Sequence, residues 1–434
     1  MTDYTIIPPE STPSENEPSA SNLRIIPADT TAIDLYAEDA KEAFARCERL
    51  TQYRSMLQEF LREISRVGLI GEKRNSAIGF LVATSRNLEN PTSLAFRGQS
   101  GSGKSNLADT VLKFIPVGDV YQSTTLSNTS LVYSPEDFRH RIIVVPELAG
   151  LGSEDNEGLY NIREFLTRNK ISKTATQDAI KGGGRVAPRV EKEGPISLIT
   201  TTTHLNILED LNTRLIVVNV DESEEHIRLV AKRSRRAKKV QVSKEWLYLQ
   251  QWLDLKRQIN GAFMVDIPYI EAMVDLMPPA VFKQSRANRD IDHVIGLIEA
   301  HTILHHINRD MTSNGEYRAT LDDYTVVRQL MNDVLGETLH LTVPDGIRKI
   351  VDAVEKLAPN PAMSVNALQL ANFVALDPKT VKRFASTAVR LGYLKGETDY
   401  RTKKLYLSRD STCIDLPRYL HVLPQSEVLR RFFT

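Results

Sequence analysis

The chain of 434 residues contains only two cysteines, Cys47 and Cys413, far apart and with no cysteine or paired histidine beside either. That excludes a disulfide framework and a cysteine-based zinc site, and it points to a reducing, cytoplasmic setting. No apolar run approaches the roughly 20 residues that cross a bilayer. A basic-then-apolar signal pattern is also lacking at the N-terminus, so no membrane partner is expected. Nor is there an excess of one charge, since Lys+Arg and Asp+Glu both number 55. Net charge therefore selects no partner, and a nucleic-acid surface has to come from local segregation of cations. The 41% hydrophobic and 25% charged content is that of an ordinary globular chain, long enough for two or three cores.

Against this plain background one stretch carries chemistry. Residues 93–107 read Ser-Leu-Ala-Phe-Arg-Gly-Gln-Ser-Gly-Ser-Gly-Lys-Ser-Asn-Leu. Gly98-x-x-x-x-Gly103-Lys104-Ser105 matches the phosphate-binding loop at every required position. Leu94–Phe96 reads as the strand before it, and Leu107, Val111, Leu112 and Ile115 have the spacing of the helix after it. Gly98, Gln99, Ser100, Gly101, Ser102, Gly103, Lys104, Ser105 and Asn106 would then wrap a polyphosphate with backbone amides and a helix N-terminus. The expected ligands are ATP and Mg²⁺. Lys104 would reach the β- and γ-phosphates, and the Ser105 hydroxyl would complete the Mg²⁺ shell.

The rest of the chain divides around that loop. Residues 1–32, rich in Pro, Ser, Glu, Asn and Thr, read as a disordered tail. Residues 33–88 read as a helical segment: one helix from about 34 to 66, a break at Gly68–Gly71, and a second helix from Glu72 to about Leu88. The nucleotide core is expected over 89–225. In it Asp119–Thr124 is a strand, Pro135–His140 a helical turn and Arg141–Val145 a buried parallel strand. The last of these ends in Pro146-Glu147, and an acid there can hold Mg²⁺ or orient the attacking water. Asn156–Arg168 has helical spacing, and residues 170–191 read as a β-hairpin whose tip carries Lys181 and Arg185 around three glycines. Ile196–Thr200 and Leu215–Val220 complete the strands, and Asp221–Glu225 caps a helix.

Residues 226–340 read as a helical lid. The basic run within 226–239 suits a solvated face or a nucleic-acid contact. His293, His301, His305 and His306 read as helix-surface or core residues, because no carboxylate–histidine pattern stands out. Residues 341–410 form a separate unit. Ile347–Leu357 is amphipathic, and Ser364 caps a helix turning Leu368, Leu370 and Phe373 inward. Asp377-Pro378 opens a third helix bearing Lys379, Lys382 and Arg383, and the ribbon after it carries Arg401, Lys403 and Lys404. Three helices and a ribbon make a winged helix-turn-helix, whose basic third helix favours DNA; such units also dock proteins. Residues 411–434 read as a C-terminal tail.

The order of these pieces resembles the AAA+ ATPases, and among them the minichromosome maintenance (MCM) type of ring helicase, including bacterial MCM-like forms. The resemblance implies an α/β fold with a P-loop core, a parallel sheet flanked by helices, a helical lid and a C-terminal winged helix. It implies a DNA-dependent ATPase, a ring-forming helicase of hexameric type, acting on DNA with a primase or loader as further partners. Lys104 and Glu147 would be catalytic. Thr202 or Thr203 matches the first sensor, Arg214 the finger arginine entering a neighbour's site, and Arg289 the lid arginine of the second sensor. Lys181 and Arg185 match the hairpin that grips DNA. Two departures stand out: Pro146 replaces the usual aspartate, and the zinc-bearing N-terminal domain is missing. A nucleotide-switched DNA-binding regulator, and a remodelling or defence ATPase whose winged helix docks a protein, remain open alternatives.

Overall fold

The computed structural model describes residues 30–122, 131–146, 157–174, 189–203, 211, 213–234, 240–339, 345–360, 362–390, 392–398, 401, 405–410, 413 and 422–431. Its centre is a five-stranded sheet. β1 (Leu94–Arg97), β2 (Val120–Gln122) and β3 (Arg141–Val145) are joined by β6 (Ile196–Thr202) and β7 (Ile216–Asn219) in the order β2-β3-β6-β1-β7. Every pairing in it is parallel. Between them β4 (Lys170–Thr174) and β5 (Arg189–Glu193) form a separate antiparallel pair.

The near-continuous apolar character of these strands follows from burial on both faces. Leu94, Phe96, Ile142, Val144 and Ile199 point into one core, while Ala95, Ile143, Val145 and Leu198 point into the other. β1 lies between β6 and β7, which brings the residues after Arg97 to the sheet's carboxyl edge, flanked by a strand on each side. Open α/β sheets bind ligands at that edge.

Helices cover the sheet. The sequence suggested one helix up to residue 66, but the chain breaks after α1 (Thr30–Thr51) and restarts at α2 (Met56–Arg66). The Ser55 hydroxyl caps the restart by accepting from Gln58 N at 3.3 Å. α3 (Lys73–Ser85) is buried from Asn75 to Ser85, and α4 (Lys104–Leu112) follows the phosphate loop. α5 (Glu157–Arg168) packs beside β4. Pro135–His140 forms turns rather than a helix, with His140 at φ 56°.

The lid contains α6 (Glu224–Ser234), α7 (Lys244–Asn260), α8 (Ile270–Asp275), α9 (Ala287–Leu304) and α10 (Leu321–Thr338). It shares one hydrophobic core with the N-terminal helices, so residues 33–88 do not stand apart. Phe60 of α2 stacks on Phe80 of α3 at 4.2 Å, and both meet Trp246 of α7 edge-on at 6.0 and 5.7 Å. Phe44 of α1 lies 4.9 Å from Trp252 of α7. A buried polar rivet crosses the same seam. Arg86, fully buried, donates to Asp119 at 2.5 Å and to Gln250 of α7 at 2.7 Å.

The C-terminal unit has α11 (Asp345–Leu357), β10 (Val365–Asn366), α12 (Ala367–Val374), α13 (Pro378–Arg390), β11 (Lys395–Thr398) and β12 (Leu405–Ser408) around its own core. The strands pair antiparallel in the order β10-β12-β11. Asp377 caps α13 as its sequence suggests, accepting from Lys379 N and Thr380 N at 3.0 and 3.1 Å. The cap of α12 is Asn366, in a capping box with Gln369, rather than Ser364. That shorter helix turns Leu370 inward but leaves Leu368 59% and Phe373 50% exposed, contrary to the sequence reading. Residues 422–431, part of the expected tail, pack on the lid with α14 (Ser426–Arg430). Tyr324 of α10 donates to Pro424 O at 2.6 Å, and Asn332 accepts from Val422 N and Leu423 N at 3.0 and 3.2 Å. Val422, Leu423 and Leu429 are buried there, which is the apolar area that holds the segment down.

Candidate functional site

The phosphate loop leaves β1 with its start fixed to β6, since Gly98 N donates to Thr202 O at 3.1 Å. A side chain at Gly98 would meet Val220 Cγ2 at 2.4 Å and Glu222 Oε1 at 2.8 Å. Only glycine fits. Gly103 has φ 92°, in the left-handed region, and its turn delivers the chain directly into α4 at Lys104. The free amides at the start of α4 and its positive dipole end therefore face the hollow of the loop.

Lys104 is buried and arches over the loop, its Nζ donating to Gly98 O at 2.9 Å and Gln99 O at 2.7 Å. Ser102 Oγ is buried without a hydrogen-bond partner among the described residues. Ser105 and Asn106 are exposed in the first turn of α4. A cradle with no room for side chains, a positive helix end, an ammonium and an orphaned hydroxyl together fit a polyphosphate.

A cavity of about 760 Å³ opens beside the loop. Its far wall is apolar, from Leu69 and Ile70 in the turn after α2 and from Ile227 and Val230 on α6. Such a ledge facing a phosphate loop suits a nucleotide base. The sequence reading missed it, taking Gly68–Gly71 only as a helix break and residues 226–239 only for their charge. The available signal was the i, i+3 pair Ile227 and Val230, apolar yet 58% and 38% exposed. Carboxylates shape the rim. Glu222 accepts from Gln99 N, while Glu72 accepts from Asp221 N and from Asn75 Nδ2, both at 2.6 Å.

The other expected residues divide into three groups. Thr202 is buried at the end of β6, in register with Arg97 beside the loop, and Thr203 just beyond it is exposed. The end of β3 is also near: Val145 is in register with Thr200, whose hydroxyl donates to Val145 O at 2.6 Å. Glu147 itself lies outside the described residues, as do Lys181, Arg185, Lys403 and Lys404. The hairpin arms are described, with Lys170 opposite Glu193 and Thr174 opposite Arg189. Lys379, Lys382, Arg383 and Arg401 are exposed on the C-terminal unit, with the Arg383 guanidinium 5.0 Å above the Phe384 ring.

Arg214 and Arg289 form the third group. Neither lines the cavity. Arg214 Nε donates to Thr167 Oγ1 of α5 at 2.8 Å, and Arg289 donates to the Thr213 hydroxyl next door. His293, one turn further along α9, is hydrogen-bonded to the Arg214 backbone, and burial pushes its pKa down to about 4. The lid arginine expected inside its own subunit's site thus sits beside Arg214. The cause is local: the N-terminus of α9 lies over the turn that carries Thr213 and Arg214.

All four lid histidines, at 293, 301, 305 and 306, are buried. One of them does meet a carboxylate. His301 Nδ1 lies 2.7 Å from Asp323 Oδ1, a contact across 22 residues that no local spacing reveals. Among the described residues no helix is long and apolar enough to cross a membrane.

No protein-family model matches the sequence, and no curated protein matches it either. Among solved structures, the chain is similar to the ORC1 protein of Aeropyrum pernix in complex with DNA, at 13% identity and TM-score 0.28 over 79% of this chain and 90% of that one. It is also similar to a full-length MCM homolog from Methanopyrus kandleri, at 12% identity and TM-score 0.42, over 72% of this chain and 63% of that one. The α/β fold with a central parallel sheet flanked by helices rests on the strand order and loop described above.

Proposed function

We propose that the protein is an ATP-hydrolysing enzyme of the AAA+ kind that assembles into a ring in the cytoplasm and acts on DNA as an MCM-like helicase or translocase. The observation that carries this reading is the phosphate loop at the carboxyl end of β1, an interior strand of the parallel sheet, with an adjoining cavity of about 760 Å³. The loop amides and the start of α4 bind the phosphates, and Leu69, Ile70, Ile227 and Val230 receive the base.

Hydrolysis builds negative charge on the γ-phosphoryl oxygens, so cations held there lower the barrier. Lys104 supplies one by swinging from the carbonyls of Gly98 and Gln99 to the phosphates. Mg²⁺, when bound, neutralises further charge on the phosphate oxygens. Ser105 and Glu147 would hold it. Thr202 or Thr203, at the end of β6, positions the attacking water or the γ-phosphate. Arg214 and Arg289 lie together away from their own subunit's cavity, so both are assigned to the site of the next subunit. Hydrolysis then depends on assembly.

For DNA, the candidates are the hairpin cations Lys181 and Arg185, and Lys379, Lys382, Arg383, Arg401, Lys403 and Lys404 of a C-terminal winged helix. ATPase rates with and without single-stranded and duplex DNA, alongside a mass measurement and a strand-displacement assay, test the proposal. Hydrolysis stimulated several-fold by DNA in an oligomer is expected. Monomeric protein indifferent to DNA would exclude it. A second reading has its own support: Met363, Leu368 and Phe373 of the C-terminal unit are about half exposed, apolar side chains of the kind that dock a protein. Under that reading the enzyme remodels a protein or acts in defence, and DNA leaves its rate unchanged.

A further inference from the structure

A second cavity, of about 800 Å³, lies at the junction of α2, α9 and α10, and its walls include His301, His305, Glu59 and Asp322. The two imidazoles stand one turn apart on α9, the i, i+4 spacing by which a helix presents two histidines to one metal ion. Both are almost completely buried, His301 at 4% exposure and His305 at 3%. One ligand atom from each of His301, His305 and Asp323 falls within 4.8 Å of the others.

The hydrogen bonds assign distinct roles. The Asp323 carboxylate is saturated: Oδ1 faces His301 Nδ1 at 2.7 Å and accepts from Arg309 Nη2 at 2.5 Å. Oδ2 accepts from Arg309 Nε at 2.9 Å and from Thr320 N and Thr320 Oγ1, both at 2.8 Å. Asp323 is therefore a fixed anion that orients the His301 ring, as carboxylates do behind metal-bound histidines. With Nδ1 committed, Nε2 is the reactive atom of His301, and it is buried with no partner among the described residues.

An orphaned buried ring nitrogen is costly, whether it bears a proton or a lone pair. His305 donates from Nδ1 to His301 O at 3.0 Å, leaving its Nε2 as an acceptor. That atom accepts a long hydrogen bond from Met56 N at 3.3 Å, which a bound ion would replace.

We propose that His301 and His305 are ligands of a transition-metal ion of the zinc, cobalt or nickel kind, with Asp323 positioning His301 from behind and the remaining coordination sites open to the cavity. Imidazole is a preferred ligand for these ions. Glu59 and Asp322 on the cavity wall can supply carboxylate oxygens. The site joins α2, α9 and α10 and is separate from the phosphate loop, so it stands or falls independently of the ATPase reading.

The test is metal uptake by the full chain after treatment with a chelator. Cobalt titrated into wild-type protein in a weakly chelating buffer should saturate at one equivalent per chain with visible absorption bands, and zinc should displace it. His301→Ala and His305→Gln should each lower the affinity at least 100-fold, and Asp323→Asn about 10–100-fold, the range for outer-shell partners. His293→Gln should leave it unchanged. X-ray absorption of the wild-type zinc complex, which depends on no variant, should contain imidazole scattering. Absence of saturable uptake, full uptake in both ligand variants, or a spectrum without imidazole would each overturn the proposal.

Discussion

Arg289, from the lid, donates a hydrogen bond to the Thr213 hydroxyl, one residue before Arg214. Two cations expected in different roles, a finger arginine and a lid arginine, thus meet at one turn, and neither lines the cavity beside the phosphate loop. If both serve a neighbour, Arg214→Ala and Arg289→Ala should each cut ATPase activity by about 10²-fold or more, with nucleotide binding retained. Mixing either variant with Lys104→Ala should restore activity, because each partner supplies what the other lacks. Steady-state ATPase assays of mixtures at fixed total protein decide this. Mixtures no faster than the separate variants would place the arginines elsewhere.

Lys104→Ala should remove an ammonium from the phosphates and abolish measurable hydrolysis while leaving the fold intact, since among the described residues Lys104 Nζ is hydrogen-bonded to the loop carbonyls of Gly98 and Gln99. Gly98→Ala should be worse for folding, because its Cβ would lie 2.4 Å from Val220 Cγ2. Fluorescent-nucleotide binding and thermal unfolding, measured side by side, separate the two effects.

Arg86→Ala should destabilise the protein by about 1–3 kcal/mol, the usual cost of leaving buried hydrogen-bond partners unsatisfied. Asp119 and Gln250 would both lose their donor, and the lid would loosen from the core. Denaturant unfolding gives the size of the loss. A change below 1 kcal/mol would mean the rivet contributes little.

His293 links stability to pH. Its pKa falls from the ordinary 6.5 to about 4 through burial, so the folded chain binds fewer protons than the unfolded chain between those values. The stability is fully present above about pH 6.5 and is lost as pH falls towards 4, by at most about 3 kcal/mol. His293→Gln should flatten this part of the profile. Unfolding free energies of both proteins at pH 7 and pH 4.5 provide the check.

The C-terminal unit separates the two functional readings. If α13 binds DNA phosphates, Lys382→Ala with Arg383→Ala should weaken binding and reduce the salt slope by about 2, near 0.9 per lost contact. Leu368→Ser with Phe373→Ser should leave DNA binding unchanged. If the unit docks a protein, Lys382→Ala with Arg383→Ala should leave DNA binding unchanged, and Leu368→Ser with Phe373→Ser should weaken the docking of the protein.

Much of the nucleotide site was legible in the chain because it is local. Gly98 to Ser105 is one continuous motif, and the apolar runs Leu94–Phe96, Arg141–Val145 and Ile196–Thr200 fall within β1, β3 and β6. Asp377-Pro378 opened its helix for the same reason: a cap is decided by neighbours in sequence. Side chains that meet across the fold left no such signature. Leu69, Ile70, Ile227 and Val230 come from segments more than 150 residues apart, and only packing brings them around one cavity. The Asp323–His301 contact, the Arg86 rivet and the pairing of Arg289 with the Thr213 turn have the same origin. Leu368 and Phe373 are the converse case, apolar residues left outside because the inward face of their helix is the one that carries Leu370 and Ala371. The sequence by itself determined that this chain has a phosphate loop on a parallel sheet, since backbone geometry and apolar patterning are properties of short segments. Which cations stand at that loop, and that Arg289 meets the Thr213 turn instead, was decided only when the lid helices found their places on the core.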